Sequence, residues 1–181
     1  MQRAQRIDIP LGDFVELVSL RSDLHLQKKP AIFFQHLPFD PSVRITPFAL
    51  LQQVQVTSML FQPAVVVDFI TASTPRVAED SRVTVHDYGH CITVVHLHFG
   101  YWEQISVMPV IRLGIERGWW TREEDVVYFS VREILRQGSE RGFPLPMKWM
   151  LRFLHQFDQR LIRSLGLDPA RCVELGVTVE V

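Results

Sequence analysis

The sequence predicts an α/β domain: an open mixed β-sheet of about six strands with helices packed on it. Three observations carry this. The longest apolar runs are strand-sized, the clearest being Ala64–Ile70 and Ile92–Phe99. Other segments repeat apolar residues at three-to-four spacing, as along one side of a helix. After a leading helix the order reads β-α-β-β-β-α-β-α-β, with the two types interleaved rather than in blocks.

Ile9–Leu20 reads as the leading helix, with Pro10 in its first turn and Phe14, Val15, Leu17 and Val18 as its apolar stripe. Arg21–Lys29 is polar and reads as a connection. Ala31–Leu37 reads as a buried strand, followed by the turn-rich Pro38–Val43. Thr46–Val56 reads as a helix capped by Thr46, with Pro47 at its first position and Phe48, Leu51 and Gln55 along one side. Ala64–Ile70 carries consecutive valines, then Phe69 and Ile70, the pattern of a strand covered on both faces. Arg82–His86 and Cys91–Phe99 are the next strands, and Asp87–His90 is short enough to join them as a hairpin.

Val107–Gly118 reads as a helix with Pro109 in its first turn and Gly118 as its stop. Thr121 with Glu124 fits the capping box of a one-turn helix, and Val126–Val131 is another strand. Gly138–Pro146 is a glycine- and proline-rich loop. Met147–Leu165 is the longest helix, with Met150, Leu154, Phe157, Leu161 and Leu165 on its apolar side. Gly166 ends it, Asp168-Pro169 starts a turn, and Cys172–Val181 is a terminal strand.

The chain has 181 residues, one domain by a size prior of about 150. Residues 1–29 read as a leading helix and connection, and 30–181 as the core. Lys plus Arg is 19 against 20 Asp plus Glu, a net charge of −1. That balance argues against nucleic acid as a partner, since polyanion binders carry a basic excess. Cys91 and Cys172 make no disulfide framework and read as free thiols inside apolar strands of a protein from a reducing compartment. No apolar run approaches the roughly 20 residues of a membrane-spanning helix. The opening MQRAQRIDIPLGD has no hydrophobic signal region. The expectation is a soluble cytosolic chain, which excludes a complete channel or transporter but not a soluble piece of one.

His96 and His98, two apart on a strand, share a face, with His86, His90 and Cys91 near in sequence. A metal needs several ligands at motif spacing, and none is present. The histidines therefore read as a polar sheet face. No G-x-S-x-G elbow, Walker sequence or G-x-G-x-x-G occurs, and neither cysteine sits where a thiolate is stabilised. The expectation is no catalytic residue, no metal and no cofactor. Arg76 and Arg82 flank the turn Val77–Ser81, and Arg132 lies beside Glu133 at a strand end. Arginines so placed can clamp phosphate or carboxylate, and these three are the candidate ligand-binding residues. The competing, favoured reading is an Arg–Glu surface pair of small energetic weight. Trp119-Trp120 reads equally as an exposed partner contact or as the cap of a core.

From Pro63 onward the order of landmarks resembles the C-terminal cytosolic domain of the Kup/HAK/KT potassium uptake transporters. The landmarks are PAVVVDFITA, Pro75-Arg76-Val77, Arg82-Val83-Thr84-Val85 and HLHFGYWEQISVMPVI. They continue through DVVYFSVREIL, the turn Gly138-Ser139-Glu140-Arg141 and the closing LDPARCVELGVTVEV. PLGDFVELV and Lys28-Lys29-Pro30-Ala31-Ile32-Phe33-Phe34 match the family's lead-in helix and first strand. A family glycine before that strand is absent, and PFDPSVRIT replaces a glycine-proline segment, the marks of a divergent member.

The resemblance implies a domain that is not an enzyme. It implies a membrane part upstream, on the same transporter, that moves K⁺ with H⁺, and a domain at the cytoplasmic membrane face that regulates it and forms a homodimer. Met147–Leu165 and Gly138–Pro146 are the expected contact elements. The family also includes members inhibited by cyclic di-AMP. The alternative is a stand-alone nucleotide-binding domain of universal-stress type, with Arg76, Arg82 and Arg132 on the phosphates of cyclic di-AMP or ATP. A third reading, an unrecognised hydrolase or transferase, requires a deep pocket with His or Cys beside a carboxylate.

Overall fold

The computed structural model describes residues 9–35, 46–136 and 165–180, with side chains for all of these except 132–136 and 177–180. Uninterrupted β-branched and aromatic runs form its central strands, which are buried on both faces as parallel strands require. The elements run α1 (Leu11–Leu20), β1 (His25–Gln27), β2 (Ala31–Gln35), α2 (Phe48–Thr57), β3 (Met59–Phe61) and β4 (Ala64–Ala72). They continue with β5 (Val83–Gly89), β6 (Ile92–Gly100), α3 (Met108–Glu116), β7 (Val127–Arg136) and β8 (Cys172–Glu180).

Six strands form one mixed sheet in the order β5-β6-β4-β2-β7-β8, and β1 pairs with β3 in a separate two-stranded sheet. Among the described strands of the large sheet only β5 runs antiparallel, as a hairpin with β6. Ranked by chain order, its parallel strands therefore lie 3-2-1-4-5. The winding direction reverses between β2 and β7, the topological switch point of a doubly wound sheet.

Strand alternation divides the core between the two faces. Phe33, Val66 and Val94 pack with Phe14 and Val18 of α1 and Leu50 and Val54 of α2. Ile32, Val65, Val67, Val95 and Leu97 pack with Val110 and Ile111 of α3 and with Trp120. Gly114 lets Trp120 lie on α3, and the indole Nε1–H donates to the Ile111 carbonyl at 3.1 Å. Phe33 and Phe129 stack across β2 and β7 with centroids 4.7 Å apart.

The predicted α/β class and six-stranded mixed sheet are what the structure has, but several local expectations shift. Arg21–Lys29 is not only a connection, because it holds β1; β3 had no forecast either. Three-residue strands of mostly exposed or half-buried side chains give no periodic signal. In α1 the buried stripe is Leu11, Phe14, Val15 and Val18, while Leu17 is exposed. In α2 it is Ala49, Leu50, Leu51 and Val54, and Gln55 is exposed. Thr46 does not cap α2. Pro47 holds the N-cap position, and the Thr46 N–H donates instead to the Ile9 carbonyl at 2.8 Å. The one-turn helix is Glu123–Asp125, closed by Asp125 accepting from the Arg122 N–H at 3.3 Å, one residue later than the Thr121 box.

Cys91 lies outside the strand, in the hairpin turn. Gly89, His90 and Cys91 have φ of +78°, +49° and +65° there. β7 runs to Arg136 rather than ending at Val131. Gly138–Pro146 and the helix forecast for Met147–Leu165 lie outside the described residues, apart from Leu165, which is buried with the α3-side core.

Candidate functional site

The carboxyl ends of β4 and β6 lie side by side, Ala72 opposite Gly100. The segments that leave them form one hydrogen-bonded corner. A Cβ on Gly100 would fall 2.2 Å from the Pro75 carbonyl oxygen, so only glycine allows this approach. Across it the Tyr101 N–H donates to the Thr74 carbonyl at 3.1 Å, and the Trp102 N–H to the Pro75 carbonyl at 3.2 Å.

Glu103 closes the corner. Its Oε2 accepts from the Gly100 N–H at 2.8 Å and the Val77 N–H at 3.1 Å, and its Oε1 from Arg82 Nη2 at 2.6 Å. The Gly100 amide first, then the Arg82 guanidinium, hold this carboxyl down at about 2. Arg82 also donates to the Val77 carbonyl at 3.0 Å and lies over the Phe99 ring, 5.8 Å from its centroid. The side chains of Arg82 and Glu103 are only 13% and 15% exposed, so their pairing is an internal clamp rather than a surface pair.

Arg82 is thus committed to the corner. Arg76 is exposed in the same corner, its Cα among the atoms nearest a Cβ built on Gly100. Arg132 lies elsewhere, opposite Gly176 within β7, with β2 and β4 between its strand and β6. The structure therefore brings Arg76 and Arg82 together and leaves Arg132 apart.

A second polar feature crosses the sheet on the α1/α2 side. Gln35, Asp68, His96 and Thr84 are register partners on β2, β4, β6 and β5. Asp68 is buried, with Oδ2 3.3 Å from His96 Nδ1, and among the described residues its Oδ1 has no hydrogen-bond partner. The His86 and His96 rings meet edge-on with centroids 5.3 Å apart. His98 Nε2 lies 3.5 Å from Thr84 Oγ1. The expected sharing of one face by His96 and His98 is what the register gives. The carboxylate lies beside the imidazole without a hydrogen bond to Nδ1, and among the described residues no group of His, Cys, Asp or Glu converges to hold a metal.

Two residues of these arrangements went unread as partners in the sequence. Asp68 is the lone acid in PAVVVDFITA, and Glu103 the lone acid after FGYW. An isolated charge in an apolar run was the available signal, because burial requires a partner. Of the tryptophans, Trp120 caps the core, while Trp119 is partly buried beneath the Arg117 guanidinium, 5.5 Å from its ring centroid. The Cys172 thiol donates to the Asp168 carbonyl at 3.3 Å, and burial pushes it up, the reverse of a nucleophile's environment.

The family model for the K+ potassium transporter C-terminal domain matches residues 28–181. The probable potassium transport system protein Kup 1 of Bradyrhizobium diazoefficiens is 28% identical over 181 residues, covering 100% of this chain and 27% of the relative. Kup 2 of Rhodopseudomonas palustris is 26% identical over 99% of the chain and 28% of its own length. Kup of Nitrobacter winogradskyi is 26% identical over 99% and 27%. The chain thus spans little more than a quarter of the curated relatives it matches. No solved structure matches it.

Proposed function

The chain belongs to the K+ potassium transporter C-terminal domain family, and from that premise we propose that it is the cytosolic regulatory and dimer-forming domain of a K⁺ uptake transporter that works by K⁺/H⁺ symport. The observation that carries the reading is the family match over residues 28–181. The fold adds support. Pro75-Arg76-Val77, Arg82, Gly100 and Glu103 are dispersed in sequence, yet they meet in one clamp. No described helix is long and apolar enough to cross a membrane. In this reading residues 1–29 lead into a single domain, 30–181, and K⁺ is carried by the membrane part of the same transporter. The domain sits at the cytoplasmic face, performs no catalysis, and acts by contacting that part differently in its different conformations.

The test is an exchange of domains. This chain replaces the corresponding region of the Bradyrhizobium Kup 1 relative, and K⁺ uptake is measured in cells lacking other uptake systems. Uptake that depends on the exchanged domain, and falls on Glu103→Ala, supports the reading. Uptake indifferent to deleting the domain overturns it. Sedimentation of the chain reads the dimer separately.

The strand order favours a second reading, an adenine nucleotide such as cyclic di-AMP or ATP at the switch point between β2 and β7. Of the three arginines, Arg132 stands on a strand of that switch point and would supply the phosphate contact, whereas Arg76 stands at the β4–β6 corner and Arg82 is held by Glu103. Titration calorimetry with both nucleotides tests this, and no heat from either removes it.

A further inference from the structure

The polar row on the α1/α2 side of the sheet holds a buried carboxylate that nothing beside it balances. The Asp68 side chain is 5% exposed and that of His96 13%. Oδ2 lies 3.3 Å from Nδ1, yet among the described residues neither Asp68 Oδ1 nor His96 Nδ1 has a hydrogen-bond partner. A buried carboxylate is ordinarily paired or hydrogen-bonded, because it has given up its hydration. Here two orphaned polar atoms belong to adjacent side chains.

The surroundings leave one way to balance the charge. On the same face β5 brings the His86 ring edge-on to His96, centroids 5.3 Å apart, and β6 adds His98, whose Nε2 lies 3.5 Å from Thr84 Oγ1. Tyr88 packs against the same core farther along β5. β2 contributes Gln35, which carries no charge. Of the helices over this face, α2 has no ionisable side chain, and α1 has Asp13 and Glu16, both exposed. Arg82, beside His98 in the sheet, is turned to Glu103.

Among the described residues, then, an imidazole is what can set a positive charge against Asp68, and His96 is the one in reach. Imidazole is the side chain whose charge changes between about pH 8 and pH 5. A proton on His96 makes both ring nitrogens donors and turns a neutral ring beside a carboxylate into an ion pair. A second proton, on His86, would set two cations edge-on, so the three groups favour one proton over two.

We infer that Asp68, His96 and His86 form a proton-sensing cluster, which takes one proton at His96 and makes the packing of β4, β6 and β5 answer to the acidity around the domain. This rests on the proposed function only for what the response would govern, the contact with the membrane part.

NMR titration of the histidine ring C–H resonances in the whole chain tests the inference between pH 8 and pH 5. His96 is expected to titrate in that range. Asp68→Asn keeps the shape and removes the charge, and should lower the affinity of His96 for its proton about tenfold or more. His96→Gln should raise the affinity of His86, whose ring then meets no cation. Amide resonances of β4, β5 and β6 should move with the His96 titration and hold still in His96→Gln. His25→Gln is the control, because His25 is exposed on β1 and should leave the His96 curve unchanged. Near-ultraviolet dichroism checks folding, and Asp68→Ser stands in should Asp68→Asn not fold.

Three results overturn the inference: a His96 still uncharged at pH 5, an unchanged His96 titration without the Asp68 carboxylate, or a titration that leaves the amides of β4, β5 and β6 unmoved. The domain-exchange assay stays independent. Uptake that requires the domain, while His96 fails to titrate, retires the proton sensor alone. A His96 titration as expected, with uptake indifferent to the domain, retires the transporter reading alone.

Discussion

Gly114 of α3 lies directly under the indole of Trp120, so close that a Cβ at Gly114 would stand 2.0 Å from Trp120 Cζ2. The indole cannot slide away freely, because its Nε1–H is bonded to the Ile111 carbonyl one turn back. Gly114→Ala is therefore expected to destabilise the chain by about 1–3 kcal/mol, the range for overpacking a core. Trp120→Leu in the same chain should recover part of that loss, and a double-mutant cycle in urea reads the coupling.

Gly100→Ala meets backbone rather than a side chain. Its methyl would fall 2.2 Å from the Pro75 oxygen and 2.3 Å from the carbonyl carbon. The two segments must part, which breaks the bonds of the Tyr101 and Trp102 amides and loosens the Glu103 clamp. A loss at or above about 3 kcal/mol is expected by urea unfolding, since overpacking and lost hydrogen bonds add. Faster amide exchange at residues 100–103 would locate it.

The Glu103 clamp gives stability a dependence on acid. Its carboxyl sits at about 2 in the fold against an ordinary 4.5, so folding favours the ionised form. That contribution is present above the ordinary value and is lost as pH falls from about 4.5 through about 2. Urea midpoints taken between pH 7 and pH 2.5 should fall more steeply for wild type than for Glu103→Gln. Asp23, held to about 2 by Arg21, titrates over the same span. It is common to both proteins, so the difference between the two curves belongs to Glu103.

Cys91 occupies a left-handed backbone position at φ +65°, where its Cβ is crowded. Cys91→Gly should stabilise the hairpin by about 0.5–1 kcal/mol, because relief of that crowding exceeds the added chain entropy. Thermal unfolding checks this, and a lower midpoint would show that the Cys91 side chain contributes more than its backbone costs.

The sheet was legible because its strands announce themselves. Val65, Val66 and Val67 cannot be covered except on both faces, and the hairpin of β5 and β6 follows from the few residues between them. Element ends were less legible. Thr46 has the side chain of a cap, but the chain entering α1 claims its amide, a long-range contact that local sequence does not encode. The site was read halfway. Arg76 and Arg82 drew notice as arginines at strand ends, yet the partner that decides the role of Arg82 is Glu103, across two strands and their hairpin turn. Pairing at that distance is written in the antiparallel register of β5 on β6, which sets Arg82 beside His98, not in spacing along the chain.

The strand order also sets a sequence of assembly. β2, β4, β5 and β6 lie within residues 31–100 and adjoin one another, so four of the six strands can pair by short loop closures. β7 must then find the bare edge of β2 from nearly a hundred residues downstream along the chain, and β8 can add only after β7. Slow closure of that late half would leave the β2 edge open in the newly made protein. During that interval a second nascent copy could pair there, which makes the β2–β7 seam the place where folding yield is decided.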